Sequence, residues 1–130
     1  MGPLTLSIEV YWDHVLARTD GFFVVLSDSP ATAALVPETG ALGAPINAIA
    51  IGHAATGNKN YSFFDGQTWF VFGAYTETSG TNHWEELTLN VDASGNWTAA
   101  ITLGEPAQSG NGTLAVANFS FTLRWYWRSS

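Results

Sequence analysis

The fold is decided by the stretch Asn118-Phe-Ser-Phe-Thr-Leu-Arg-Trp-Tyr-Trp-Arg128, in which apolar and polar residues alternate throughout. Its apolar members are Phe119, Phe121, Leu123, Trp125 and Trp127. Side chains along a β-strand point alternately to opposite faces, so this period produces one apolar face and one polar face. A helix would distribute the same residues around its axis. We therefore predict a strand that places Trp125 and Trp127 in the core. Its polar face, with Arg124, Tyr126 and Arg128, is expected to be solvated.

Alternation or short apolar runs recur along the rest of the chain, separated by turn signals such as Asp65-Gly66 and Asp92-Ala-Ser-Gly95. Strands are predicted at 4–12, 22–26, 46–53, 61–64, 67–75, 87–91, 97–103 and 113–127. Loops are predicted at 31–45, with one helical turn over 31–35, and at 76–83 and 104–112. This sequence of elements predicts one all-β domain over residues 1–130. The expected fold is an antiparallel β-sandwich of about eight strands, with a closed β-barrel as the alternative.

Composition and charge narrow the classes of partner. Lys and Arg number 4 against 11 acidic residues, and this net charge of -7 argues against nucleic acid and against charge-driven docking to anionic lipid. No apolar run is long enough to span a bilayer. The first residues lack the basic and apolar regions of a signal peptide. We expect a cytoplasmic protein, or a secreted one whose leader has been removed.

Catalytic and metal signatures are not found in the sequence. There is no Cys, and the three His residues, His14, His53 and His83, are dispersed without the spacing that would bring two of them to one metal. Asp13-His14 is better explained by a strand end than by an acid–base pair, because neighbouring strand residues diverge. The same divergence prevents Glu85-Glu86 from acting as a carboxylate pair. We therefore expect no catalytic residue, no metal and no cofactor.

The candidate ligand site is the polar segment that follows Tyr75 and ends in Asn82-His83-Trp84-Glu-Glu86. Parity with Leu87 places residues 83 and 85 inward, and Trp84 outward with Glu86. An indole ring suits the apolar face of a sugar, and amide, imidazole and carboxylate groups can hydrogen-bond its hydroxyls. The alternative is that Trp84 covers the end of the core. The predicted ligand-binding residues are Tyr75, Asn82, His83, Trp84 and Glu86.

Three parts of the chain resemble the fungal fruit-body lectins, whose β-sandwich is shared with the pore-forming actinoporins: Leu6–Tyr11, Asp65-Gly66 and Trp69–Leu89. Trp84, Glu86 and Leu87 match a lectin motif, and Asn82-His83-Trp84 is similar to an actinoporin one. The lectins' Asn-Tyr pair and basic residues are absent before Trp84, so the resemblance implies a binding role for Glu86 alone. The first strand begins by Leu4, which leaves no room for the actinoporin N-terminal helix. The resemblance thus implies sugar binding without pore formation.

Three hypotheses about function follow. The first is a non-enzymatic lectin that binds glycans and forms a homo-oligomer, because several weak sites bind more strongly together. The second is a small β-barrel enzyme, of cyclase or isomerase type, with an apolar pocket in place of a filled core. The third is a lipid-binding or cytolytic protein with exposed aromatic residues.

Overall fold

The structure is a computed structural model that describes residues 3–12, 22–53, 60–74, 83–103, 107–116 and 124–129. Within these ranges the chain forms nine strands and one helix of four residues. In chain order they are β1 (Leu4–Trp12), β2 (Phe22–Ser27), α1 (Pro30–Ala33), β3 (Ala48–His53), β4 (Asn60–Phe64), β5 (Trp69–Ala74), β6 (His83–Val91), β7 (Asn96–Leu103), β8 (Gln108–Thr113) and β9 (Arg124–Ser129).

The strands form two antiparallel sheets. The four-stranded sheet has the order β1-β6-β7-β8, and the five-stranded sheet has the order β5-β4-β3-β2-β9. Both predicted hairpins are present: β4 pairs with β5 around Asp65-Gly66, and β6 pairs with β7 around the turn that ends at Gly95. The predicted β-sandwich is confirmed. The alternative of a closed barrel is wrong, because the described strands form two separate sheets.

The core lies between the two sheets and is filled by side chains from both. Leu87, Leu89 and Val91 of β6 face Leu26, Ile51 and other residues of the five-stranded sheet. The residues of this buried cluster are Leu26, Ile49, Ile51, Tyr61, Phe63, Phe72, Leu87, Leu89, Val91, Trp97, Ala99, Ile101 and Leu114. Alternation in β6 and β7 thus buries every second residue, as period-two patterning requires.

The side of the five-stranded sheet that points away from this core is also buried, because the segment from 30 to 47 covers it. Phe23, Val25 and Phe64 form a second cluster with Ala33 and Val36 of that segment. Trp69 holds the segment in place, since its indole Nε1 donates to the backbone oxygen of Pro37 over 2.8 Å. The opposite, four-stranded sheet therefore supplies the extended sheet surface that is open to solvent.

Strand β8, Gln108-Ser-Gly-Asn-Gly-Thr113, lies largely in the segment 104–112, for which the sequence predicted a loop. Its Gly and Asn residues disfavour strands, so local preference could not reveal it. The strand is stabilised instead by pairing with β7 and by close packing of Gly112 against Trp97. Any Cβ at Gly112 would lie 2.9 Å from Nε1, Cε2 and Cζ2 of Trp97, so the indole packs where a side chain would stand.

The predicted strand 113–127 is also wrong, because it is not continuous. Strand β8 ends at Thr113, and the next two amides bond to the hairpin turns: Leu114 N to Gly95 O over 2.8 Å, and Ala115 N to Asp65 O over 3.0 Å. Phe119, Phe121 and Leu123 lie outside the described residues. The chain resumes as β9 in the other sheet, where Trp125 is the register partner of Leu26. The inward position of Trp125 and Trp127 stays a prediction.

Candidate functional site

The solvent-facing side of the sheet β1-β6-β7-β8 is the candidate site, and we call it the outer face. Along each of these strands, the residues of the outer face alternate with residues that face the core. The residues of this face whose side chains the structure describes are Thr5, Ser7, Glu9, Trp84, Glu86, Thr88, Asn90, Asn96, Thr98, Ala100, Thr102, Ser109, Asn111 and Thr113. Apart from Trp84 and the two Glu residues, none has a side chain longer than that of Asn. The outer face is therefore a surface of low relief, rich in hydroxyl and amide groups.

Trp84 is the large aromatic residue of the outer face, and its side chain is 55% exposed. It belongs to β6, which begins at His83, so the predicted loop ends earlier than expected and Trp84 and Glu86 are strand residues. Its neighbour Glu85 is fully buried, and Glu86 is half-buried on the same side as Trp84. The predicted parity is confirmed at Trp84, Glu85 and Glu86, whereas the inward position of His83 stays a prediction. More than half of the Trp84 side chain is in solvent, which argues against the alternative that it covers the end of the core.

A β-bulge positions the carboxylate of Glu86. The register with β7 shifts between Glu86 and Leu87, whose partners are Leu103 and Ile101, and this shift leaves Thr102 as the extra residue. Thr102 Oγ1 donates a hydrogen bond of 2.6 Å to Glu86 Oε1. Such a short bond to a charged acceptor is strong and orients the carboxylate, which keeps its other oxygen available to accept hydrogen bonds.

The electrostatic character of the outer face is acidic beside Trp84. Glu9 of β1 is the direct register partner of Glu86, and directly opposed residues share a face. None of the four basic residues of the chain, Arg18, Lys59, Arg124 and Arg128, falls in β1, β6, β7 or β8. This part of the surface therefore attracts hydrogen-bond donors and repels anions.

Hydroxyl and amide groups form ordered rows across the outer face. The first row follows the register from Thr5 to Asn90, Thr98 and Asn111. Thr5 Oγ1 donates to Asn90 Oδ1 over 3.0 Å, which holds the amide in place. Rows of this kind lie about 6.8 Å apart along the strands, with about 4.8 Å between neighbouring strands. The outer face is therefore a regular grid of polar groups.

Two of the four Asn-x-Ser/Thr sequons of the chain are paired with each other on the outer face. Asn96 and Thr98 belong to one, and Asn111 and Thr113 belong to the other. The register places Asn96 opposite Thr113 and Thr98 opposite Asn111, and Thr113 Oγ1 donates to Asn96 Oδ1 over 3.1 Å. The side chains of the two motifs are therefore cross-strand neighbours.

The remaining predicted site residues are only partly placed. Tyr75 and Asn82 lie outside the described residues. His83 opens β6, with Trp12 as its register partner, and the structure describes its backbone alone. Trp84 and Glu86 are the two predicted residues that the structure brings together.

Further residues of the outer face were missed from the sequence, chiefly Glu9, Thr98 and Thr102. Their alternation with apolar neighbours could have shown that each faces solvent. Glu9 and Thr102 are neighbours of Glu86 because of the order of the strands, and no local sequence pattern indicates that order.

Within the described ranges, His, Asp and Glu side chains do not gather in groups of three or more that could hold a metal ion. The expectation that the protein needs no metal and no cofactor stays a prediction. In the same ranges, no helix has the length and apolarity needed to cross a membrane.

Comparison with known proteins returned no match to a protein-family model, to a curated protein or to a solved structure. The resemblance to fungal fruit-body lectins therefore stays an expectation drawn from the sequence.

Proposed function

We propose that the protein is a non-enzymatic carbohydrate-binding protein whose site is the outer face around Trp84. The observation that carries this proposal is the indole of Trp84, 55% exposed on a sheet surface whose other described side chains are two carboxylates and short, mostly polar groups. An exposed aromatic ring beside ordered hydrogen-bonding groups suits a ligand with an apolar ring face and a polar edge. Sugars have that combination.

Each group has a distinct role in the proposed site. The Trp84 ring packs against the apolar face of a pyranose. The Glu86 carboxylate, held by Thr102 at 2.6 Å, accepts hydrogen bonds from sugar hydroxyls without first having to become ordered. Thr88 lies two residues further along β6 on the same face and can donate or accept. No step of this recognition requires bond cleavage or a metal.

The filled core supports binding at the surface over the barrel-enzyme hypothesis. That hypothesis needs an interior pocket, whereas Tyr61, Phe63 and Phe72 of one sheet pack with Leu89 and Trp97 of the other in one buried cluster. The exposed groups around Trp84 therefore remain the better-supported site.

The test is a Trp84→Ala variant, measured on a glycan array and then by calorimetry with the glycans that bind. We expect Kd to rise by roughly tenfold, which corresponds to about 1–1.5 kcal/mol of aromatic contact. The melting temperature should hardly change, since the side chain is largely exposed. Leu35→Ala is the matched control, because Leu35 is 58% exposed but follows α1 in the segment that covers the other sheet.

The proposal fails if the wild type binds no glycan, or if Trp84→Ala and Leu35→Ala bind glycans as the wild type does. Retention of a small apolar molecule in place of glycans would instead favour a ligand held in the interior, as an enzyme with an apolar substrate requires. Binding to vesicles that is lost with Trp84→Ala would favour the lipid-binding hypothesis.

Homo-oligomerisation is a second part of the proposal. The sites of a dimer or tetramer would bind a multivalent surface together and convert weak single-site affinity into avidity. Light scattering of the purified protein tests this part independently, and a monomeric mass would remove it.

A further inference from the structure

We infer that the ligand of the outer face is an extended, uncharged polysaccharide chain that lies along β6, rather than the terminal sugar of a glycan. This inference rests on the proposed function and adds the class of carbohydrate. Three features of the outer face carry it: its low relief, its length and its charge.

The low relief of the described residues favours an internal stretch of a chain over an enclosed chain end. A terminal sugar is recognised when a concave site surrounds it, because specificity needs contacts on several sides. Around Trp84 and along β6 the outer face presents Thr88 and Asn90, with Thr98 and Ala100 beside them on β7. These side chains are too short to form walls. The described residues of this sheet contact a ligand from one side only, as they can an internal stretch of a chain.

The length of the outer face exceeds one sugar ring. Trp84, Glu86, Thr88 and Asn90 occupy every second position of β6 and share the outer face. Asn90 lies six positions after Trp84, which corresponds to about 20 Å of strand. Across the sheet, the four strands span about 14 Å. A single ring stacked on Trp84 would leave most of the polar grid unused, whereas a chain of several rings could contact it along β6.

Charge restricts the chain to an uncharged one. Glu9 and Glu86 are opposed next to Trp84, and no basic residue of the sequence lies in the four strands of this sheet. A uronic acid, sialic acid or sulfate group would have to approach two carboxylates, and the described residues of these four strands offer it no cation. Neutral hydroxyls, in contrast, can donate hydrogen bonds to both carboxylates.

The experiment measures affinity against chain length. Calorimetry with neutral β-1,4-linked glucose and N-acetylglucosamine oligomers, from the disaccharide to the hexasaccharide, should show affinity that rises with length. Polygalacturonate oligomers of the same lengths should not bind at low salt.

The matching variant is Thr88→Val/Thr98→Val, which removes two hydroxyls from the grid and keeps β-branched side chains of the same shape. It should weaken binding of the hexasaccharide by roughly tenfold, the scale of two net hydrogen bonds, and weaken binding of the disaccharide, which can reach Thr88 but not Thr98, by a smaller factor. Thr39→Val is the control, because Thr39 is exposed in the segment over the opposite sheet.

The outcomes separate this inference from the proposed function. If Trp84→Ala abolishes glycan binding but affinity does not depend on length, the lectin proposal stands and the extended-chain inference is wrong. A preference for polygalacturonate also overturns the inference. Wild-type affinity of Thr88→Val/Thr98→Val for the hexasaccharide would show that the polar grid makes no contact, and would overturn it as well.

Discussion

Glu9 and Glu86 lie directly opposite each other on the neighbouring strands β1 and β6, both on the solvent-facing side of the sheet. Like charges at such positions are destabilising, because the Cβ atoms are only about 5 Å apart. Thr102 offsets part of this cost through its hydrogen bond to Glu86. The presence of two opposed carboxylates beside the exposed Trp84 suits a surface that accepts hydrogen bonds from a neutral ligand.

Glu9→Lys is predicted to stabilise the fold, because it replaces a repulsive cross-strand pair with an attractive one. We expect the free energy of unfolding to rise by roughly 0.5–1 kcal/mol at low ionic strength, and the gain to shrink as salt is added. Urea denaturation at two salt concentrations measures this. Glu38→Lys is the control, since it makes the same change of net charge at an exposed site in the segment over the other sheet. Equal effects of the two substitutions would show that net charge, not the Glu9–Glu86 pair, is responsible.

Gly112→Ala is predicted to destabilise the protein. Its Cβ would stand 2.9 Å from three atoms of the buried Trp97 indole, which is also in contact with Phe63 and cannot move freely. Overpacking of this kind costs about 1–3 kcal/mol. Thermal denaturation should therefore show a clear fall in melting temperature. Gly43→Ala, where no atom lies within 4 Å, should be neutral or slightly stabilising. Equal melting temperatures for the two variants would contradict the described packing of β8.

Trp125→Ala is predicted to cost about 3–5 kcal/mol of unfolding free energy through lost burial and a cavity. Two observations support this: the alternation of residues 118–128, and the register that places Trp125 opposite the fully buried Leu26. Arg124→Ala, on the polar side of the same alternation, should change stability by less than about 0.5 kcal/mol. An unchanged melting temperature for Trp125→Ala would refute the predicted parity of β9.

Asp92 is predicted to make stability depend on pH in the acid range. Hydrogen bonds from the backbone and side chain of Asn96, followed by those from Ser94 and Gly95, lower the pKa of the Asp92 carboxyl below its usual value. Because the folded-state pKa is the lower one, the ionised group stabilises the fold above the unfolded pKa. That contribution is lost as the pH falls through the folded pKa, and so below about pH 4.

The measurement for Asp92 is the difference in melting temperature between the wild type and Asp92→Asn, followed from neutral pH to about pH 2. The wild type should be the more stable at neutral pH, and the difference should shrink as the carboxyl is protonated. Other carboxyl groups, including Asp28 with its own lowered pKa, titrate in both proteins and cancel in the difference. A difference that stays constant with pH would contradict the prediction.

The sequence by itself determined the all-β class, the two hairpin turns and the direction of the side chains along β6. These features depend on neighbouring residues: period-two alternation places Trp84 and Glu86 together in solvent and buries Glu85, and Asp-Gly or Asp-x-x-Gly bends the chain. Local preference decides such features, so they could be predicted without knowledge of any distant contact.

Only the tertiary structure decided which strands are neighbours. The pairing of β1 with β6 brings Glu9 to Glu86 across more than seventy residues of sequence, and the bulge in β7 turns Thr102 toward the same carboxylate. Strand β8 exists because Gly112 admits the ring of Trp97 and the amides of the strand pair with β7, although its composition disfavours a strand. Strand pairing and close packing join residues far apart in the chain, and alternation within one segment carries no information about them.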